Sequence, residues 1–376
     1  MLISTRLHGV IDYAAASLLG MLATRRVLTA PVSRSLGIVS LVHAGYATQT
    51  DYEAGLAAKL TMRQHLALDT VGAAALCAAG ALLRGQPAWQ RGLLIGLGLA
   101  ELVTVNLSSA EPMSGPGQNA GPVDRLLQNP ALPDDQVGYP PLDTPKPVAP
   151  DIFVIDSLLP GQIGRVLPVR MTVIRLPNDD LILVSPTRFS AELRDKLEML
   201  GRIRHLVAPS LVHWMFLKDW QSACPDTTSW AAQGLRGRGQ VRRSGVRLDR
   251  DLSDISPPEW GGVIEMETIT GSFGFRETAL FHTPTRTLLL ADLVINLEIW
   301  KLPVLVRPLV RMFGSMAPDG MPPPYVRAIV RGGRPAAIAA ARRLIGRQPE
   351  RVIFAHGRWF ETDATVALQR SLRWLL

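Results

Sequence analysis

Arg6-Leu7-His8-Gly9-Val10-Ile11-Asp12 returns 57 residues later as Arg63-Gln64-His65-Leu66-Ala67-Leu68-Asp69, and this repeat organises the first third of the chain. The offset is the same for the arginine, the histidine and the aspartate. Each copy opens an apolar segment, and a second apolar segment follows each copy. The four segments run over 9–23, 36–47, 66–83 and 92–107. Each unit therefore reads as one helical hairpin, and an internal duplication of this kind is common in membrane proteins. The second halves share a weaker likeness, with Leu41-Val42 before Thr48 and Leu102-Val103 before Ser109.

A spanning helix takes about 20 apolar residues. The third segment meets that length and the second is short. All four are rich in Ala, Gly, Ser and Leu, which suits close packing in lipid. The competing reading is a soluble bundle of core helices. Against it, the first, third and fourth segments lack a polar face at helical period. The predicted arrangement is a four-helix transmembrane bundle over 1–110, in contact with the lipid bilayer. Asp12 interrupts the first segment and three more follow, so a cleaved signal peptide is not expected.

In each repeat the histidine and aspartate stand four apart and share a helix face. Antiparallel helices bring the starts of the first and third to the same side as the ends of the second and fourth. His8, Asp12, His43, His65, Asp69 and Glu101 are thus predicted to fall at one depth. Ionisable residues inside a membrane are expensive and point to function. A proton relay, a metal or haem site, and a site for a polar headgroup all fit. The alternative is that His–Asp pairs satisfy one another and lock the helices together. The N-terminal part resembles small bacterial four-helix membrane proteins with repeated His-x-x-x-Asp helices. The resemblance rests on residues 7–13, on Thr50-Asp51-Tyr52-Glu53-x-Gly55 and on residues 65–69. The Ser-Pro-Trp element of that group is absent, and no activity comes with the likeness. The expected location is the bacterial inner membrane. Five arginines in the first and third loops face three basic residues on the other side, too narrow a bias to orient the chain.

Residues 111–150 hold ten of the 29 prolines and read as a semi-extended tether, with Tyr139 and Leu142 as candidate anchors. Hydrophobic residues make up 47% of the chain and charged residues only 19%, with a net charge of +8. No run of basic residues interleaves with aromatics, which argues against nucleic-acid binding. The two cysteines, Cys77 and Cys224, form no metal motif.

From residue 151 the pattern changes. Strands are predicted over 169–176, 181–184, 203–208, 263–269, 278–281, 287–290 and 352–355, with helices over 191–200 and 213–222 and near the C-terminus. Hairpins followed by strand–helix units suggest two packed mixed sheets with helices outside. Together with the bundle, the fold class is α+β. That order, with residues 167–176, 184–186, Leu206-Val207-Ala208-Pro209-Ser210-x-x-His213, residues 281–296 and Phe354-Ala355-His356-Gly357, resembles the metallo-β-lactamase-like superfamily. It is more similar still to a bacterial and plant family within it known as a domain of unknown function. The resemblance implies an αββα sandwich over 151–376.

It also implies a metal site built from a His-x-His-x-Asp-His loop, a further histidine, a bridging aspartate and a final histidine. This chain keeps His213, Asp292 and His356 of that pattern. His282 is a weaker candidate, because it stands only ten residues before Asp292 and fits a hairpin turn better. Two histidines and a carboxylate suit one divalent metal, zinc or iron, and no other cofactor is expected. Two readings of this domain stand: a metal-dependent hydrolase of a small-molecule or lipid-linked substrate near the membrane, or a binding module that has lost its metal. A third places the function in the His/Asp layer of the helices. Gly234-Leu235-Arg236-Gly237-Arg238-Gly239 has the wrong spacing for a dinucleotide fingerprint and reads as a basic surface loop. Residues 298–313 read either as a basic, apolar lid on the bilayer or as a cap on the soluble core.

Overall fold

The structure is a computed structural model that describes residues 3–52, 55, 59–110, 138–158, 168–302 and 307–376. Glu53, Leu167, Pro303, Val304, Leu305, Val306 and most of the proline-rich segment lie outside the described residues. The chain divides into two compact units, Met1–Leu126 and Leu127–Leu376.

The first unit holds four helices: α1 Thr5–Ala23, α2 Ala30–Gln49, α3 Met62–Leu82 and α4 Ala88–Leu107. Ser4 caps α1 by accepting from the Leu7 amide. Thr61 and Gln64 form a reciprocal capping box on α3. One helix, α3, is long and apolar enough to cross a membrane by length and composition. The duplication is visible in the backbone. Ile3 pairs with Ser108 in an isolated parallel bridge, and Leu60 pairs with Thr50 in another. Ile3 and Leu60 are 57 residues apart, so the bridges are repeat equivalents. The structural partners in α2 and α4 are therefore the C-caps Thr50 and Ser108, in place of the predicted Thr48 and Ser109. The reason is that the equivalence is fixed by where each helix ends and not by its apolar spacing. Leu19, Val32, Leu36, Leu76 and Leu94 form an apolar cluster between the helices.

The second unit is a two-sheet sandwich. Its elements are β1 Lys146–Ala149, β2 Ile152–Leu158, β3 Pro168–Arg175, β4 Asp180–Val184, α5 Ala191–Glu198, β5 Arg202–Ala208, α6 Leu217–Ala223, β6 Thr228–Ala231, α7 Gly239–Ser244, β7 Arg250–Asp251, β8 Ile264–Thr270, β9 Arg276–His282, β10 Thr287–Leu289, β11 Ile295–Asn296, α8 Arg307–Phe313, α9 Pro324–Gly332, α10 Arg334–Gly346, β12 Arg351–Ile353, β13 His356–Gly357 and α11 Ala364–Ser371. One sheet runs β1 to β7 in sequence order, and the other runs β12-β10-β9-β8. β4, β5 and β6 are parallel neighbours, as are β10 and β12.

Side chains alternate across a strand. Ile152, Val154, Ile174, Ile182, Val184 and Val207 of the first sheet meet Ile264, Met266, Leu280, Leu289 and Ile353 of the second in one core. Ile155, Val173, Leu183 and Leu206 are buried as well, which makes the first sheet covered on both faces and its strands near-continuous apolar runs. On the second sheet, α10 docks through Arg343, which grips Glu267 of β8 with two hydrogen bonds of 2.7 and 2.8 Å.

The predicted tether ends sooner than expected. Residues 146–149 form β1, antiparallel to β2, because Asp151 in the left-handed region permits a tight turn between them. Tyr139 is an anchor, with the Lys301 ammonium 3.9 Å and the Arg170 guanidinium 5.2 Å from its ring. In the stretch read as a lid or a cap, Leu302, Val310 and Phe313 are buried, and Leu302 and Val310 cluster with Leu297. These described residues make it a cap, with Trp300 exposed.

Candidate functional site

His213, Asp292 and His356 come together. His213 lies in the loop that leaves β5, not on a helix as the sequence pattern suggested, since α6 begins only at Leu217. Asp292 follows β10, and His356 opens β13 directly after β12. All three thus sit beyond the carboxyl ends of strands, where loops of both sheets meet. His213 Nε2 is 3.2 Å from Asp292 Oδ2, and His356 Nε2 is 3.4 Å from Asp292 Oδ1. The two imidazoles have centroids 5.7 Å apart. The side chains are 12, 17 and 11% exposed, a shallow opening to solvent.

Neighbouring groups fix this geometry. The Nδ1–H of His356 donates to the Pro168 carbonyl at 3.0 Å. That bond leaves Nε2 with its lone pair toward Asp292, the arrangement a metal-ligating histidine needs. The buried Arg170 guanidinium donates to the carbonyls of Phe354 and Gly357, on either side of His356, and pairs with Asp156 at 2.6 Å. Gly357 sits at φ 91°, where a side chain would also run into the Asn296 backbone. Glu277 accepts from the amides of Ala291 and Asp292 at 2.8 and 2.9 Å. Arg238 donates to the Leu211 carbonyl and so braces the loop of His213. Ser210 Oγ lies 3.3 Å from Asp292 Oδ2.

The electrostatics separate two acids. Burial works against ionisation of Asp292, but the adjacent His213 and His356 hold its carboxyl well below the usual range. Glu277 is pushed up to about 7 by burial and by the charge of Asp292. Burial and Asp292 also raise the Tyr325 hydroxyl, which keeps it protonated near the site.

The donor set fits a divalent metal. Two imidazole nitrogens and a carboxylate converge with their ligand atoms within 4.8 Å of one another. Bonds of 2.0–2.1 Å in a tetrahedral site imply ligand–ligand edges of about 3.3 Å, and each imidazole stands at about that distance from its own oxygen of Asp292. His282 is not part of this cluster. It sits in the β9–β10 hairpin, with Nδ1 2.7 Å from Thr285 Oγ1, five residues along β9 from Glu277 and thus about 16 Å away. His205 is a core residue that accepts from the Trp230 indole at 3.3 Å.

Sequence reasoning missed Arg170, Arg238, Glu277 and Tyr325. Arg170 is a charged residue within the otherwise apolar run predicted as a strand over 169–176, and that misfit was a readable signal; Glu277 lay just outside the strand predicted over 278–281. Arg238 fell in a glycine-rich stretch read as a basic surface loop, yet it is buried. Its burial depends on α7 folding back, which no local pattern announces.

In the first unit, the structure brings together all six residues of the polar layer. His8, Asp12, His65 and Asp69 form one buried group of converging ligand atoms, and Asp12, Asp69, His43 and Glu101 form an adjoining one. Each imidazole of the repeat pairs with the carboxylate of the other: His8 Nε2 with Asp69 Oδ2 at 3.0 Å, and His65 Nε2 with Asp12 Oδ2 at 2.9 Å.

Comparison with known proteins bears on the second unit. Residues 152–313 match the family model described as a domain of unknown function, DUF4336. His213 and Asp292 fall inside that match and His356 outside it. No curated protein matches the chain. Among solved structures, a metallo-β-lactamase from Pontibacter korlensis is similar at 13% identity, over 61% of this chain and 97% of that one, with a TM-score of 0.39. The rubredoxin oxygen:oxidoreductase from Desulfovibrio gigas is similar at 14% identity, over 61% of each chain, with a TM-score of 0.42. The Flv1 flavodiiron core from Synechocystis is similar at 12% identity, over 62% of this chain and 60% of that one, with a TM-score of 0.43.

Proposed function

We propose that this chain is a membrane-bound, metal-dependent hydrolase whose second unit carries a one-metal centre on His213, Asp292 and His356. The observation that carries the reading is the Asp292 carboxylate held between two imidazole Nε2 atoms, one of them oriented by the Pro168 carbonyl. When bound, a divalent cation there supplies Lewis-acid polarisation of a carbonyl or phosphoryl oxygen. The residues do the rest. The Nε2 atoms of His356 and His213 would be the cation's nitrogen ligands, and the Asp292 carboxylate would balance the charge. Glu277 orients Asp292 through its backbone, and the protonated Tyr325 lies close enough to feel the Asp292 charge.

Attachment to a bilayer is supported by the inverted surface of the first unit. His8, Asp12, His43, His65 and Asp69 are inside, while Ile38, Leu41, Val42, Val71, Leu99 and Val103 face out. A water-soluble bundle arranges these the other way round. The expected substrate is a small or lipid-linked ester, amide or phosphodiester at the membrane surface. The expected location is the bacterial inner membrane.

The test is metal content and hydrolysis together. Full-length protein purified in detergent without chelator should carry zinc or iron and cleave a chromogenic ester or phosphodiester. Asp292→Ala and His356→Ala should each remove the hydrolysis. Wild-type protein that takes up neither metal at this trio would leave the binding-module reading in its place.

A further inference from the structure

We propose that the helical unit holds a second, independent metal centre, in which His8, Asp12, His65 and Asp69 bind one divalent transition-metal ion of zinc or ferrous-iron type. The inference does not rest on the hydrolase reading, since the residues belong to a different compact unit.

The argument is a count of hydrogens. His8 Nδ1 lies 2.7 Å from Ser108 Oγ. The Ser108 hydroxyl hydrogen is already given to the Thr104 carbonyl at 2.7 Å, so Ser108 can only accept from the imidazole. The other repeat does the same. His65 Nδ1 lies 2.8 Å from Thr50 Oγ1, and the Thr50 hydroxyl donates to the Tyr46 carbonyl at 2.8 Å. Both rings therefore carry their hydrogen on Nδ1, and both Nε2 atoms point inward. They face each other at 3.2 Å. Around them stand two carboxylates, which accept and do not donate.

Four acceptors thus converge on one point buried from solvent. Two positive charges are required there to balance Asp12 and Asp69. Protons on both His8 and His65 would make two imidazolium N–H groups meet head to head. A single divalent ion supplies the same charge, turns both lone pairs into ligands and removes that repulsion. The spacing agrees. Asp69 Oδ2 lies 3.0 and 3.2 Å from the two Nε2 atoms, which are 3.2 Å apart, and Asp12 meets His8 through Oδ1 at 3.1 Å and His65 through Oδ2 at 2.9 Å, near the edge of about 3.3 Å for tetrahedral bonds of 2.0–2.1 Å.

The surroundings are those of a metal site. Tyr46 donates to Asp69 Oδ1 at 2.6 Å and Tyr52 donates to Asp12 Oδ2 at 3.0 Å. Each imidazole and each carboxylate thus has its own outer partner. The same carboxylate has spare acceptor capacity. Asp12 Oδ1 and His43 Nε2 are both buried and make no hydrogen bond, although they stand 3.4 Å apart.

The experiment uses tag-free, full-length protein in detergent, with the trio of the second unit disabled by His213→Ala and Asp292→Ala. After Zn²⁺ loading and desalting, elemental analysis should find about one zinc per chain, and Zn²⁺ should raise the unfolding temperature. Adding Asp12→Asn should weaken Zn²⁺ binding at least tenfold. Asp69→Asn is the second variant, and only chains whose metal-free form unfolds cooperatively are compared. Cobalt should give the visible absorption of tetrahedral Co²⁺ in the parent and not in these variants. A parent chain that keeps no zinc, shows no cobalt band and gains no stability from Zn²⁺ overturns the proposal.

Discussion

Ser210, two residues past β5, forms a bridge with Glu277 of β9, and this contact ties the loop of His213 to the loop of Asp292. The adjacent bond from the Thr278 amide to the Pro209 carbonyl, at 2.8 Å, completes the seam between the two sheets. The Glu277 carboxylate then reaches across to the amides of Ala291 and Asp292. One residue so positions two ligands that are 79 positions apart in the sequence.

Glu277 gives the metal-free protein a pH signature. Its native pKa is raised to about 7, from an ordinary value of 4.5, by burial and by Asp292. The native state therefore holds more protons than the unfolded state in that window. The stabilisation is full below 4.5 and is lost as pH rises through 7, on the order of 3 kcal/mol in all. Thermal unfolding of the metal-free protein from pH 4.5 to 7.5 should show this loss, and Glu277→Gln should remove most of the slope. An unchanged slope in the variant would assign it to other groups.

Arg170 is buried beside Asp156 and binds the two carbonyls that flank His356. Arg170→Met should destabilise the fold by about 1–3 kcal/mol, because it leaves the buried Asp156 with Lys146 as its one cation among the described residues and the Phe354 and Gly357 carbonyls without their donor. Arg170→Lys should recover little, since a lysine cannot make the forked contacts. Zinc binding by the His213 trio should also weaken in both variants, and calorimetric titration would measure it.

Ser108 and Thr50 each hold the Nδ1–H of a buried imidazole. Ser108→Ala and Thr50→Val should each cost about 1–3 kcal/mol, the penalty of a buried donor left without an acceptor. The duplication makes the two losses similar in size. Unfolding temperatures in detergent provide the comparison, and a loss confined to one variant would break the equivalence.

Leu41 and Val71 are mid-helix and 76 and 65% exposed. In water a lysine at either position would be harmless or would aid solubility. Facing lipid, it costs about 2.5–3.5 kcal/mol. Leu41→Lys and Val71→Lys should therefore reduce the yield of protein in the membrane fraction, and a rise in soluble yield would count against a bilayer.

The legible and illegible parts of the sequence differ for physical reasons. The His-x-x-x-Asp repeat was readable because helical period places its two residues on one face, whatever surrounds them. Asp292 and His356 were readable through the resemblance to the metallo-β-lactamase-like pattern, which expects a ligand after each of those two short apolar runs; the runs themselves name no ligand. The strand over 152–158 was not foreseen, because its Asp156 and Ser157 break an apolar run, and only the pairing of Asp156 with Arg170 and Lys146 explains their burial. Strand β6 and its edge neighbour β7 were missed too, being four and two residues long and defined by partners more than by composition. Helix α6 was placed too early: it begins at Leu217, and residues 213–216 before it form a turn.

The crossed pairing of His8 with Asp69 and of His65 with Asp12 means that neither hairpin owns a finished cluster. Each contributes half, and the halves close only around a common axis. Severing the chain between Tyr52 and Lys59, in the link from α2 to α3, would leave two hairpins that are individually incomplete yet mutually complementary, and a lone hairpin meeting its own twin would find the same partners waiting.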